Sequence, residues 1–287
     1  MPSVELADRT VILAAGPDAE TLLQNVITTD LSTVGEREAR PGALLTPQGK
    51  ILFDFLISRA GPDSFRLDCR RDVAQDFLKR LMLYRLRAKV ELSLDHESLI
   101  STSWQSDSSA SQTDSTSMID RRFPEALNVV RHYGDARANA DRAAWDRLRI
   151  EHGVAESGVD YELSDAFPHD ILLDQNGGIG LKKGCYVGQE VVSRMHHRGT
   201  ARRRLLIVQG ETALPSSGTE ITADGRPIGT LGTVSGREGL AILRIDRVAE
   251  VGQAGVPVLA GTVPLTLRVP AFARFTISAG DGQAETA

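Results

Sequence analysis

The chain has 287 residues, a formal net charge of -5, 41% hydrophobic and 25% charged residues, and two cysteines. This is the composition of an ordinary globular protein, long enough for two domains, with no global excess of positive charge to point to nucleic acid. No apolar run approaches bilayer thickness, and Cys69 and Cys185 make neither a disulfide framework nor a four-cysteine metal site.

The opening residues carry neither a basic start nor a following apolar region, so a soluble bacterial cytoplasmic protein is expected, monomeric and without a membrane partner. An apolar strand from Val11 to Ala15 leads into Gly16-Pro17-Asp18. Ala19, Leu22, Leu23 and Val26 then share one face at helical spacing, which predicts a helix over about 17–28. Leu44-Leu45-Thr46, Pro47-Gln48-Gly49-Lys50 and Ile51 to Ile57 read as strand, tight turn and strand. Residues 71–87 predict a second helix through Val73, Phe77 and Leu81, and 89–94 a strand. The Ser, Thr, Asp and Gln of 101–117 cannot build much core and read as an exposed connection, with short strand character near Trp104. A third helix is predicted over 139–151, followed by a long irregular passage over 153–180. Beyond Arg204, strands are expected at 205–208, 228–234, 240–245 and 263–269, separated by turns such as Asp224-Gly225-Arg226, and 278–287 as a frayed end. Short strands without a long helix between them predict a compact β-barrel over 202–287, after an α+β domain over 1–201 of one or two subdomains.

The segment richest in chemistry is Lys183-Gly184-Cys185-Tyr186-Val187-Gly188-Gln189-Glu190. Nearby cations or helix amides raise a thiolate population, glycines permit close backbone approach, and a glutamine can match the edge of a heterocycle. Three roles are open to the loop: redox or adduct chemistry at Cys185, polar recognition of a ligand, or structural anchoring. Cys69, at a strand end, reads as structural. Arg194, His196, His197, Arg198 and Arg202 to Arg204 form a basic run suited to carboxylates or phosphates. Adjacent histidines do not share one coordination face, so no metal site is expected. Arg149 and Glu151, at a helix end, form a second polar group. A buried Glu151 would accept protons from an amino-heterocycle, Arg149 would orient it, and Trp145 would stack on an aromatic ligand. Asp54 stands in an otherwise apolar strand, where an unpaired carboxylate is costly.

These segments resemble the YgfZ family of folate-binding proteins, related to the T-protein (aminomethyltransferase) of the glycine cleavage system. The most specific match is KGCYVGQEVVSRMHHRG, Lys183 to Gly199; supporting matches are AAGPDAETLLQNVITTDL, LLTPQGKILFDFLI and RIEHG. The likeness is strongest to the branch that contains the family's mitochondrial iron–sulfur assembly factor. It implies an α+β domain with a central opening followed by a small β-barrel. It also implies tetrahydrofolate, or a one-carbon derivative, as ligand, and support of iron–sulfur cluster assembly or repair, including tRNA-modifying clients. In GKILFDFLI, Phe53 takes the first of two acidic places and Asp54 keeps the second, a departure that weighs against ordinary aminomethyl transfer. Asp170 stands where a glutamate is common.

The expected reacting residues are therefore Cys185 and Asp54. The expected folate contacts are Trp145, Arg149, Glu151, Lys183, Tyr186, Gln189 and Arg194. The expected partners are the iron–sulfur assembly machinery or its client enzymes. A folate-dependent one-carbon transferase is the principal alternative, and an RNA-binding module through the basic run a weaker one, since direct nucleic-acid binding is not expected of an acidic chain.

Overall fold

A computed structural model describes residues 1–95, 98–105, 116–134 and 138–277. Most of the Ser/Thr-rich connection (106–115) and the predicted frayed end (278–287) lie outside the described residues. The chain forms two compact units. Unit 1 comprises Met1–Trp145, Leu163–Pro168 and Leu173–Arg198; unit 2 comprises Asp146–Glu162, His169–Leu172 and the chain from Gly199 onward.

Unit 1 is built on strands β1 (Ser3–Glu5), β2 (Arg9–Ala15), β3 (Glu38–Leu45), β4 (Ile51–Gly61), β5 (Ser64–Arg70), β6 (Glu91–Asp95), β7 (Ile100–Ser103), β8 (Ser117–Asp120) and β9 (Val130–Tyr133). They form one nine-stranded sheet in the order β1-β7-β9-β8-β3-β4-β5-β2-β6, with β3 and β8 the parallel neighbours. Two helices, α1 (Ala19–Val26) and α2 (Ala74–Arg85), cover one face. The 3.6-residue period places Ala19, Leu22, Leu23 and Val26 of α1, and Ala74, Phe77, Leu78 and Leu81 of α2, against the sheet. The period of two along β4 and β5 supplies Phe53, Phe55, Ile57, Phe65, Leu67 and Cys69 from below. Phe77 is central, stacked on Phe53 at 4.8 Å and on Phe55 at 5.4 Å. Truncating it to alanine would cost about 3–5 kcal/mol.

The expected hairpin is present. Thr46 N–H donates to the Lys50 carbonyl and Gly49 N–H to the Thr46 carbonyl, each at 2.8 Å, and Gly49 takes φ +79°, open to glycine at little cost. Helix α3 (Arg142–His152) begins three residues later than its expected start, and the boundary between the units falls inside it. Helix α4 (Gln189–Arg198) closes unit 1.

Unit 2 carries strands β10 (Arg203–Gly210), β11 (Glu220–Ala223), β12 (Arg226–Ser235), β13 (Glu238–Arg244), β14 (Val258–Ala260) and β15 (Val263–Arg268). They close as a barrel in the order β10-β13-β12-β11-β14-β15, the seam being β10 with β15 from Ile207↔Arg268 to Gly210↔Leu265. An α+β unit followed by a closed barrel is the fold class expected from the sequence. The short strands β11 and β14 were not foreseen, nor was helix α5 (Ile245–Gln253), which buries Val248 and Ala249. A nine-residue helix between strands offers too few turns for its period to stand out.

Candidate functional site

The cysteine loop is held at both ends within unit 1. At its start, Lys183 is buried, and its Nζ donates to the Ile27 carbonyl at 2.9 Å and the Thr29 carbonyl at 2.8 Å. Ile27 is the extended residue that ends α1, so the ammonium caps chain that has just left helical geometry. Burial lowers the Lys183 pKa to about 8, opposed by the negative charge of Asp30. The ammonium also lies 5.3 Å from the ring centre of Tyr186, itself buried, whose hydroxyl burial pushes up to about 12.

At the far end, Gly188 has φ +78° and packs on the β3–β4 turn. A Cβ there would stand 2.5 Å from the Thr46 carbonyl oxygen, and one on Gly49 would stand 2.8 Å from the Val191 side chain. Gln189 opens α4, half-buried, its N–H donating to the Tyr186 carbonyl at 3.2 Å. Between the two fixed ends, Gly184 has open space around it and the Cys185 thiol is exposed. The loop therefore presents a sulfur to solvent from a seat built by Lys183, Tyr186 and Gly188. Cys69 is the opposite case, buried in the unit 1 core, where burial raises its thiol to about 12.

The other expected contacts fall elsewhere. Trp145 is fully buried in unit 1 among Trp104, at 6.0 Å, and Phe123, at 5.3 Å, with the Arg131 guanidinium 5.7 Å from its ring centre. Arg149 lies fully buried in unit 2. It donates to Asp146 at 2.9 Å, Asp160 at 2.8 Å, the Val154 carbonyl at 3.0 Å and Thr233 Oγ1 at 2.9 Å. Desolvation works against its charge, but Glu156, Asp160 and Asp146 outweigh it and hold the guanidinium protonated. The expectation of a buried Glu151 is corrected: it is exposed, because it follows the buried Ile150 on the outer side of α3. The buried acids beside Arg149 are Glu156, 3.5 Å from its Nε, and Asp160, which also accepts from Thr233 N–H at 2.7 Å, Thr233 Oγ1 at 2.7 Å and Glu156 N–H at 2.8 Å.

Asp54 is half-buried and opposes Ala43 across the β3–β4 ladder, on the face of β4 away from Phe53 and Phe55. Arg194 is exposed and pairs with Glu190 one helical turn away, at 3.1 Å. The basic run is partly engaged within unit 2, where Arg203 pairs with Asp170 at 2.7 Å and Arg204 donates to the His169 carbonyl at 2.9 Å. A cleft of about 570 Å³ in unit 1 is lined by Glu36, Arg37, Arg59, Ala60, Gly61, Pro62 and Met118, none of them an expected site residue.

The stacking partner and the orienting arginine are both spent on protein neighbours, and Glu151 is not buried. Trp145 and Arg149 are packed inside the protein, and Glu151 faces solvent. Sequence reasoning missed Thr29, Thr46 and Asp160, because a residue's value as a carbonyl, turn or carboxylate partner depends on what lies opposite it.

Comparison with known proteins adds the family context. Residues 202–275 match the family described as CAF17, C-terminal beta-barrel domain. Over the longer chain, the relatives are iron–sulfur cluster assembly factors by name. Mouse "Iron-sulfur cluster assembly factor IBA57, mitochondrial" is 28% identical over 280 residues, covering 85% of this chain and 77% of the relative. The human protein of the same name is 28% identical over 278 residues, with the same coverage. The crystal structure of glycine cleavage system aminomethyltransferase T from Bartonella henselae superposes with a TM-score of 0.69 at 14% identity, covering 95% of this chain and 86% of that one; the fold is shared. The relatives overturn the cytoplasmic expectation, since both are mitochondrial by name. The opening residues on which that expectation rested do not decide a compartment.

Proposed function

We propose that this chain is an iron–sulfur cluster assembly factor that presents Cys185 to a cluster-carrying partner. The observation that carries the reading is an exposed thiol on a loop fixed at both ends, in a chain whose relatives are named as assembly factors. Clusters are held by about four thiolate or imidazole ligands. Of the two cysteines here, one is sealed in the core, so the chain supplies a single thiolate and any further thiolates come from a partner. The physical task of the loop is to hold that sulfur at a fixed place, so that little ordering entropy is lost on encounter.

The YgfZ likeness of the cysteine segment belongs to the same proposal, as does service to tRNA-modifying clients. Folate binding is a separate proposal. It is supported by the size of the Arg37–Arg59 cleft, within the range of small-ligand pockets. Ordinary aminomethyl transfer is disfavoured, because Phe53 stands at the first acidic place and is stacked in the core against Phe77.

The test is recovery of iron–sulfur enzyme activity in cells lacking their own assembly factor, comparing the wild-type chain with Cys185→Ser. Both proteins should melt alike, and the variant should fail to restore activity. Full recovery by the variant would reject the thiol proposal. Titration of tetrahydrofolate into the wild-type chain and an Arg37→Gln/Arg59→Gln variant tests the folate proposal separately.

A further inference from the structure

The last two turns of α2 and the chain beyond it read Lys79-Arg80-Leu81-Met82-Leu83-Tyr84-Arg85-Leu86-Arg87-Ala88-Lys89. Five of these residues are cationic and none is acidic, in a chain whose total charge is -5. Helical spacing turns Leu81 into the core and leaves its neighbours outside. Met82 is 44% exposed, Leu83 67% and Leu86 86%. They rank among the most exposed large apolar side chains of the described residues.

Leu86 adds a second, independent observation. It ends α2 with φ 46° and ψ -108°, a backbone region that side-chain-bearing residues rarely adopt. Glycine, with no Cβ, would take that position with less strain. Here a leucine occupies it and directs its side chain into water, paying a conformational cost with no packing return. Strain of this kind, confined to an exposed apolar residue, points to a contact made outside the chain.

The charged residues around it define the partner. Arg80, Arg87 and Lys89 have no side-chain hydrogen bond or ion pair among the described residues, while Lys79 pairs with Asp76 at 3.0 Å and Arg85 Nη1 reaches the Val90 carbonyl at 3.4 Å. The nearest acids in sequence are Asp76 and Glu91, with Asp18 accepting the Lys89 N–H at 2.7 Å. Protein interfaces centre on packed aromatics and are depleted in lysine. Leucines that project beyond the surface inside a Lys/Arg rim need no complementary pocket in a partner; they suit a fluid, anionic headgroup layer.

We propose that Met82, Leu83 and Leu86, with the cations around them, form a peripheral docking site for an anionic phospholipid surface. The leucines enter the boundary between headgroups and acyl chains, and Arg80, Arg87 and Lys89 sit among the phosphates. No helix of the described residues is long and apolar enough to span a bilayer, and the site requires none. The sequence-based expectation of no membrane partner weighed spanning segments, whereas peripheral binding depends on exposure.

The experiment is co-sedimentation of the full chain with vesicles of phosphatidylcholine mixed with phosphatidylglycerol, and with vesicles of phosphatidylcholine alone. Wild type should partition onto the mixed vesicles, release at high salt, and show little binding to the neutral ones. Removing cations should weaken partitioning about five-fold each, so Arg80→Gln/Arg87→Gln/Lys89→Gln should lose roughly a hundred-fold. Leu83→Ser/Leu86→Gly should also lose partitioning while melting no lower than wild type, since glycine relieves the strained backbone. Equal binding to both vesicle types, or variants that bind like wild type, would overturn the proposal. So would variants that lose iron–sulfur support while wild type ignores vesicles, an outcome that assigns the patch to a protein partner.

Discussion

Lys183 Nζ donates to the carbonyl oxygen of Thr29 at 2.8 Å, across 154 residues of chain, two positions before the exposed Cys185 thiol. A single ammonium ties the end of α1 to the start of the cysteine loop. Lys183→Met keeps the aliphatic stem and removes the donor. Because burial depresses the Lys183 pKa to about 8, the folded chain releases that proton before the unfolded chain does. Its contribution is present above the unfolded value near 10.5 and is lost as pH falls through about 8. The stability of wild type relative to the variant should therefore rise by about 2 kcal/mol from pH 7.5 to 10.5, after allowance for screening. Urea melts of the two proteins at both pH values measure it, and a flat difference would mean that the ammonium is not buried as described.

The two glycines that flank the thiol should respond differently to the same change. Gly188→Ala places a methyl group 2.5 Å from the Thr46 carbonyl oxygen at φ +78°, and should cost about 1–3 kcal/mol. Gly184→Ala meets open space and should alter stability by less than about 0.5 kcal/mol. Thermal melts of the pair decide whether the loop is fixed at its far end.

Alkylation should separate the two thiols. In the folded chain a maleimide should modify Cys185 and spare Cys69, at a rate ratio of at least about a hundredfold, because the core thiol is reached only by opening. Mass spectrometry of the digested protein reads the sites directly. Cys69 should become reactive only in denaturant.

Asp160, rather than Glu151, should carry the energy near Arg149. Asp160→Asn weakens one partner of a fully buried guanidinium and should destabilise the chain by about 3–5 kcal/mol. Glu151→Gln should stay within about 0.5 kcal/mol, as exposed substitutions do. Trp145→Ala should cost about 3–5 kcal/mol through its cavity. Calorimetric melts rank the three, and an inverse order would restore Glu151 as the buried acid.

Much of the fold was legible residue by residue. The spacing of Ala19, Leu22, Leu23 and Val26 matched the buried face of α1, and Pro47 to Lys50 marked the hairpin turn. Periodicity and turn chemistry are local, so they survive without knowledge of neighbours. Burial of polar groups was less legible. Glu151 and Asp160 are both acids close to Arg149 in sequence, and no local pattern says which one the barrel's Thr233 will meet. Leu83 and Leu86 fall within the helix predicted over 71–87 but outside its register of Val73, Phe77 and Leu81, and only the structure shows how far they stand in solvent.

The amino-acid sequence by itself determined an α+β region followed by a barrel, and it singled out Cys185 as the residue most in need of explanation. Tertiary structure alone decided that this thiol is exposed while Cys69 is sealed, that Lys183 is a buried clamp, and that Arg149 is an interior ion-pair partner. The division follows from range. Helix and strand patterns are set by residues within a few positions of one another, whereas desolvation and hydrogen-bond partners are set by groups that folding brings together from distant parts of the chain.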